Sequence, residues 1–228
     1  MKIHGTAKGG ALSKKDFGVA FGAPPVPDPV YETDFSTDTG WTLDTDMSIS
    51  GGKLRAVSLD LEEDFRASHT VNVTLSDSEW YCRFQLNVAN CTLGRAFAPF
   101  AITDTTGVIQ SGDAVYFYWH DVSGTPRVEV YAYEGGSQDS FSTGGNLAYA
   151  TDYWGDFART TTTNVRLRIY SDADYSTQVG SDLNLTISSS IISLSLVQSG
   201  SSVSGNAGDK ANYTMEDIKI WNEVTEKP

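Results

Sequence analysis

Trp80-Tyr81-Cys82-Arg83-Phe84-Gln85-Leu86-Asn87-Val88 alternates apolar and polar side chains along its length. Three more stretches do the same: Val115 to His120, Arg127 to Tyr133 and Asn164 to Tyr170. Successive side chains of a strand point to opposite faces. Phe84, Leu86 and Val88 can therefore share a core with Val115, Phe117 and Trp119, with Val128, Val130 and Ala132, and with Val165, Leu167 and Ile169. The opposite side then presents Tyr81, Arg83, Gln85, Tyr116, Tyr118, His120, Tyr131, Tyr133, Arg166 and Arg168, which we expect to form one face. Aromatic rings that stack on sugar rings, beside guanidinium forks and amides that bond hydroxyls, suit a glycan. Tyrosine and arginine also stabilise a solvated antiparallel sheet through cross-strand pairs, so a purely structural face fits the same pattern.

The chain has 228 residues, and a β-sandwich commonly runs to ~200–250 residues as one domain. With 29 acidic against 16 basic residues its formal charge is −13. That charge repels phosphates over most of the surface, so no nucleic-acid partner is expected. No apolar run approaches the ~18 residues of a membrane span, and no membrane insertion is expected. Met1 to Phe21 has lysines and glycines throughout, without the apolar centre of a signal peptide. The two cysteines, Cys82 and Cys91, are too few for a disulfide framework. Cys82 belongs to the apolar side of its strand, Cys91 is expected beyond the strand end near a turn, and a bridge between them stays open.

Residues 1–22 differ from the rest. Lys2, Lys8, Lys14 and Lys15 against Asp16 give +3, leaving −16 for the remainder. This Gly-rich basic arm is either a frayed terminus or a docking segment whose Phe17-Gly18-Val19-Ala20-Phe21 adds to a neighbour as a strand or apolar plug. Pro24, Pro25, Pro27 and Pro29 make residues 23–30 a stiff spacer. From Tyr31 onward short strands separated by Gly, Ser, Asn and Asp turns predict one all-β domain over 31–222, with a tail at 223–228. Tyr153 to Arg159 and Asn164 to Tyr170 should pair across Thr160 to Thr163, while Ser189 to Val197 and Tyr213 to Trp221 should supply closing strands. No stretch predicts an amphipathic helix.

Asp34-Phe35, Gly40-Trp41 and Ile49-Ser50-Gly51-Gly52-Lys53-Leu54 near the start, with Met215-Glu216-Asp217-Ile218-Lys219-Ile220-Trp221 at the end, resemble the concanavalin A-like (laminin-G-like) jelly rolls. Tyr153-Trp154-Gly155-Asp156-Phe157-Ala158-Arg159 followed by Val165-Arg166-Leu167-Arg168-Ile169-Tyr170-Ser171-Asp172 is similar to that superfamily's central hairpin. The resemblance covers about residues 31–222. It implies a two-sheet antiparallel jelly-roll sandwich whose termini meet on adjacent strands, with a concave face that often holds carbohydrate. It further implies a structural calcium ion where the first and last strands meet, for which Glu32, Asp34, Asp38 and Asp217 are the matching carboxylates. Lys2 to Phe21 resembles a leader carried by environmental archaeal or viral proteins with such domains.

Glycosidases of this superfamily carry paired carboxylates as E-x-D-x-x-E, whose outer acids act as nucleophile and general acid. Here Glu129-Val130-Tyr131-Ala132-Tyr133-Glu134 keeps the outer glutamates and replaces the central aspartate with Tyr131. Without a bulge, Glu129 and Glu134 point to opposite faces. Polysaccharide lyases of similar shape use arginine, glutamine, histidine and tyrosine, and Arg83, Gln85, His120, Tyr118 and Arg168 supply those types. His4 and His69 lack Cys or His neighbours at zinc spacing. The expected role is a non-enzymatic, glycan-binding display module, with Glu129 among its ligand-binding residues. Its arm, residues 1–22, would dock it into an oligomeric assembly such as a virion or cell-surface array. A carbohydrate-active enzyme, lyase or glycosidase, and a purely structural subunit are the alternatives.

Overall fold

The computed structural model describes residues 26–61, 64–108, 110–202, 208–226 and 228. The arm, residues 1–22, and the start of the spacer, residues 23–25, lie outside the described residues. Along the chain run β1 (Tyr31–Thr33), β2 (Trp41–Leu43), β3 (Met47–Ile49), β4 (Leu54–Asp60), β5 (Ala67–Thr70), β6 (Trp80–Cys91), β7 (Ala96–Thr103) and β8 (Ala114–Val122). These are followed by β9 (Thr125–Glu134), β10 (Ser137–Asn146), β11 (Asp152–Thr161), β12 (Asn164–Tyr170), β13 (Leu183–Thr186), β14 (Leu196–Ser199) and β15 (Lys210–Asn222). Sheet I has the order β13-β12-β11-β6-β15-β4-β3, with β1 also paired to β15. Sheet II has the order β10-β9-β8-β7-β14-β5-β2. All these pairs are antiparallel, so the protein is a two-sheet antiparallel sandwich.

The four alternating stretches fall on β6, β8, β9 and β12, and their apolar sides meet in one core between the sheets. Its centre is aromatic. Phe84 stacks on Phe117 at 5.2 Å and on Phe100 at 5.3 Å, and Phe157 meets Phe100 and Phe117 edge-on. Offset and edge-to-face rings of this kind add attraction beyond their buried area. Gly155 on β11 leaves room for Phe84: a Cβ there would lie 2.1 Å from the ring. At one end of the core Arg159 is fully buried, and its guanidinium donates to the carbonyls of Ile191 (2.6 Å), Thr162 (2.6 Å) and Thr161 (3.3 Å).

The β11–β12 hairpin pairs as expected, Trp154 opposite Tyr170 through Arg159 opposite Val165. Of the two expected closing strands, β15 forms, whereas Ser189 to Val197 is mostly irregular and only its end joins β14. Several strands lie outside the stretches named from sequence, β7, β10 and β13 among them. β13 adds an outer edge to sheet I, and β10 occupies a Ser- and Gly-rich segment that reads as loop. Its polar side chains protect an open sheet edge from pairing with other chains.

Cys91 ends β6 rather than following it, and Cys82 is buried in the same strand; both thiols are free. The extended chain between them spans roughly 30 Å, far beyond disulfide reach. Burial pushes both thiols up, Cys91 to about 12.

Both ends of the described chain lie against the outer side of sheet I. The Trp221 indole donates to the Pro27 carbonyl at 2.9 Å, and the Val30 N–H donates to Ile220 at 2.8 Å. The tail folds back, with Val224 packed on the Tyr81–Ala158–Trp221 cluster.

Candidate functional site

The expected single face divides in two. Tyr81, Arg83, Gln85, Arg166 and Arg168 stand on the outer side of sheet I, because β6 and β12 belong to that sheet. Tyr116, Tyr118, His120, Glu129, Tyr131 and Tyr133 stand on the outer side of sheet II, on β8 and β9. The core lies between the two groups, so they look away from each other. Alternation places a side chain on or off the core; it carries no information on which sheet the strand joins.

On sheet II the register aligns Phe141, Tyr131, Tyr116, Ala101 and Gln198 across five strands. The rings form a column. Phe141 stacks on Tyr131 at 5.4 Å and 16°, and Tyr131 on Tyr116 at 5.5 Å and 7°. Tyr118 meets both tyrosines edge-on. The inner members, Tyr116, Tyr118 and Tyr133, are buried with Ala98, Ala101 and Ala114, and Phe65 packs against them. Tyr116 and Tyr118 are therefore packing residues, in place of the exposed contact role that alternation suggests. The column surfaces at Tyr131, which is half-buried, and at Phe141, which is 56% exposed.

Glu129 lies beside the column with its side chain nearly buried. One carboxylate oxygen accepts from Arg127 Nε at 2.8 Å and contacts His120 Nδ1 at 3.1 Å; the other accepts from the Tyr131 hydroxyl at 3.0 Å. Burial alone would raise its pKa, but the bonds from His120, Tyr131 and Arg127 outweigh it and hold the carboxyl below its ordinary value. Burial and the Glu129 charge push the Tyr131 hydroxyl well up. The β8–β9 register is unbroken from Ala114 opposite Tyr133 to Val122 opposite Thr125, so no bulge turns Glu134 toward Glu129.

On sheet I the expected arginines are already engaged. Arg166 holds Glu226 at 2.6 and 3.1 Å and the Thr225 carbonyl at 3.1 Å. Arg168 pairs with Asp182 at 2.9 Å and Glu226 at 3.1 Å. Behind them, burial raises the Asp156 carboxyl despite the two guanidinium groups 3.9 Å away and the Tyr170 hydroxyl at 3.0 Å. Tyr81 is buried beneath Trp221. Arg83 lies 3.7 Å over the ring of Tyr175, a cation–π contact.

The four carboxylates expected to hold calcium do not gather. Glu32 pairs with Lys219 at 2.6 Å, Asp34 accepts from the Ser36 N–H at 2.9 Å, and the Asp38 carbonyl closes a turn with Trp41. Asp217 sits at an irregularity of β15, with φ 49°. Among the described residues no three His, Cys, Asp or Glu side chains are grouped to hold a metal.

Phe141 and Arg127 complete the sheet II surface and lie outside the expected set. The available signal is a lone aromatic in Asp139-Ser140-Phe141-Ser142, which glycine pairs on either side disguise as loop.

No protein-family model matches the chain, and no curated protein sequence does. Solved structures are similar in fold. The CBM2 module of the evolved Dit protein of Lactobacillus casei BL23 phage J-1 is similar with TM-score 0.52 and 13% identity, over 88% of this chain and 98% of that one. The exoplasmic/lumenal domain of VIP36, bound to Ca2+ and Man3GlcNAc, is similar with TM-score 0.58 and 9% identity, over 87% and 91%. Alginate lyase Aly36B, bound to an alginate trisaccharide, is similar with TM-score 0.52 and 14% identity, over 82% and 88%. At such identities the likeness establishes a shared sandwich fold. Its bearers include binding domains and an enzyme, so the fold leaves the choice between those classes to the site.

Proposed function

We propose that this protein is a non-enzymatic glycan-binding display module that meets its ligand through the outer side of sheet II. The observation that carries this reading is the ring column that surfaces at Tyr131 and Phe141 beside the Glu129–Arg127–His120 cluster. A ring braced from behind by a second ring is a rigid platform for the C–H face of a sugar, and the polar cluster beside it offers bonds to hydroxyls. The chemistry favours binding over turnover. Glu129 is held ionised, which is wrong for a general acid, and the Tyr131 hydroxyl is raised and already committed to Glu129, which is wrong for a base. Fold relatives solved with Man3GlcNAc and with an alginate trisaccharide support a carbohydrate ligand by analogy of fold.

The test is a glycan array followed by titration calorimetry with the best ligand. Phe141→Ala and Tyr131→Ala should each weaken binding by about five- to thirtyfold, since loss of a stacking ring removes roughly 1–2 kcal/mol. Unchanged binding in both variants would remove the reading. Release of reducing ends or unsaturated products from a polysaccharide panel, abolished in Glu129→Gln, would replace it with an enzymatic one.

The display role includes docking through residues 1–22 and a virion or cell-surface setting. What supports it is the charge contrast of +3 against −16, and the bonding of Pro27 and Val30 to β15 of sheet I. A segment that leaves from that side anchors the domain with sheet II turned outward.

A further inference from the structure

A cavity of about 500 Å³ opens at the rim where the chain crosses from β1 in sheet I to β2 in sheet II. A smaller one of about 210 Å³ is lined by Arg83, Trp154, Ala173, Tyr175, Asp217 and Lys219. They adjoin, because Glu32 lines the first, Lys219 lines the second, and the two side chains are paired at 2.6 Å. The first lies within the ~300–1,000 Å³ of ordinary small-ligand sites.

From these two cavities we infer a second binding groove, for a neutral glycan chain of two or more sugar residues, running along the junction of β1 and β15. The larger cavity combines a half-buried indole, Trp41, with short polar side chains: Thr33, Ser36, Thr37, Thr39 and Asn72. Trp41 is braced by Phe35 and His69, each at 5.4 Å, and Tyr31 closes on His69 at 5.0 Å. The buried Tyr31 hydroxyl lies beside the Trp41 indole N–H, which donates toward its oxygen, and no acceptor for its own proton is found among the described residues. The backbone N–H of Ser36 holds the Asp34 carboxyl below its usual range, so an ionised acceptor faces the opening. The smaller cavity repeats the pattern, with Trp154 and the Arg83–Tyr175 stack beside Asp217 and Lys219. Rings at both ends and hydrogen-bonding groups between them match an extended polyhydroxylated chain. Three carboxylates, Glu32, Asp34 and Asp217, against two cations, Arg83 and Lys219, on a chain of net charge −13, disfavour a polyanion.

Two non-glycine residues beside the groove take left-handed backbone angles. Phe35 takes φ 53° in the β1–β2 crossing and Asp217 takes φ 49° within β15. A bulky residue in the left-handed region is an outlier, and such outliers, like strand irregularities, concentrate beside binding sites. Gly40, at φ 82°, is fixed by the same geometry, since a Cβ there would lie 2.5 Å from His69 Nε2.

The experiment is calorimetric titration of the full chain with xylohexaose, cellohexaose and mannohexaose, with an alginate hexamer as polyanionic control. Thr37→Arg blocks the larger cavity and Ala173→Arg the smaller one; both positions are exposed, so neither change disturbs the core. The expected result is that at least one neutral hexamer binds, that each blocking variant weakens it by about tenfold or more, and that Phe141→Ala leaves this binding intact. The inference is overturned if the unmodified chain binds none of the neutral hexamers, if the blocking variants bind them unchanged, or if alginate is retained better. Loss in Phe141→Ala with normal binding in the blocking variants would assign the glycan to sheet II alone.

Discussion

At the level of single residues the fold depends on a few positions where no substitute fits. Gly155→Ala would drive a methyl into the Phe84 ring, which is stacked between Phe100 and Phe117 and has no room to retreat. Overpacking of this kind costs about 1–3 kcal/mol, so the melting temperature should fall by roughly 2–10 °C. Arg159→Met keeps the length of the side chain and removes its donors from the carbonyls of Ile191, Thr161 and Thr162. Denaturant unfolding should show a loss of about 2 kcal/mol or more, because buried acceptors are left without partners. Glu129 sets a pH dependence. Its folded-state pKa is depressed, so the stability it contributes is complete above the unfolded value and is lost as pH falls through the folded one. Unfolding measured from about pH 6 to about pH 3 should therefore show a shallower acid decline in Glu129→Gln than in the unmodified chain.

At the level of strands, the sequence is informative about burial and silent about partnership. The stripes on β6, β8, β9 and β12 state which side chains reach the core, and each one does. Sheet membership depends on non-local pairing, which puts β6 and β12 in one sheet and β8 and β9 in the other. The candidate face splits accordingly. β10 is hidden for a different reason: as a polar edge strand it lacks the apolar alternation that marks a buried one, and only Phe141 betrays it. The tail shows the same limit. Glu223-Val224-Thr225-Glu226 is too short to carry a period, yet Glu226 finds Arg166 and Arg168 some 58 to 60 positions away. Glu226→Gln should cost only about 1 kcal/mol or less, because that side chain is 61% exposed and screened by solvent. The cost should shrink further in about 1 M salt; a loss of several kcal/mol at any salt would mean that the tail is a core element.

At the level of the whole molecule, two sides of one sandwich carry different duties in the proposed role. Pro27 and Val30 are bonded to β15, on sheet I, and Phe141 surfaces on sheet II. Attachment and ligand contact are thus separable, which makes them separately testable. Removal of residues 1–22 takes away a +3 segment and leaves every described strand in place. The shortened chain should melt within about 2 °C of the full one, since a cost below ~1 kcal/mol shifts the midpoint little at this size. Its glycan affinity should be unchanged. What it should lose is incorporation into particles, read by electron microscopy and sedimentation of material from the native source. Equal incorporation with and without the segment would end the docking account and leave the sheet II surface to be judged by Phe141→Ala alone.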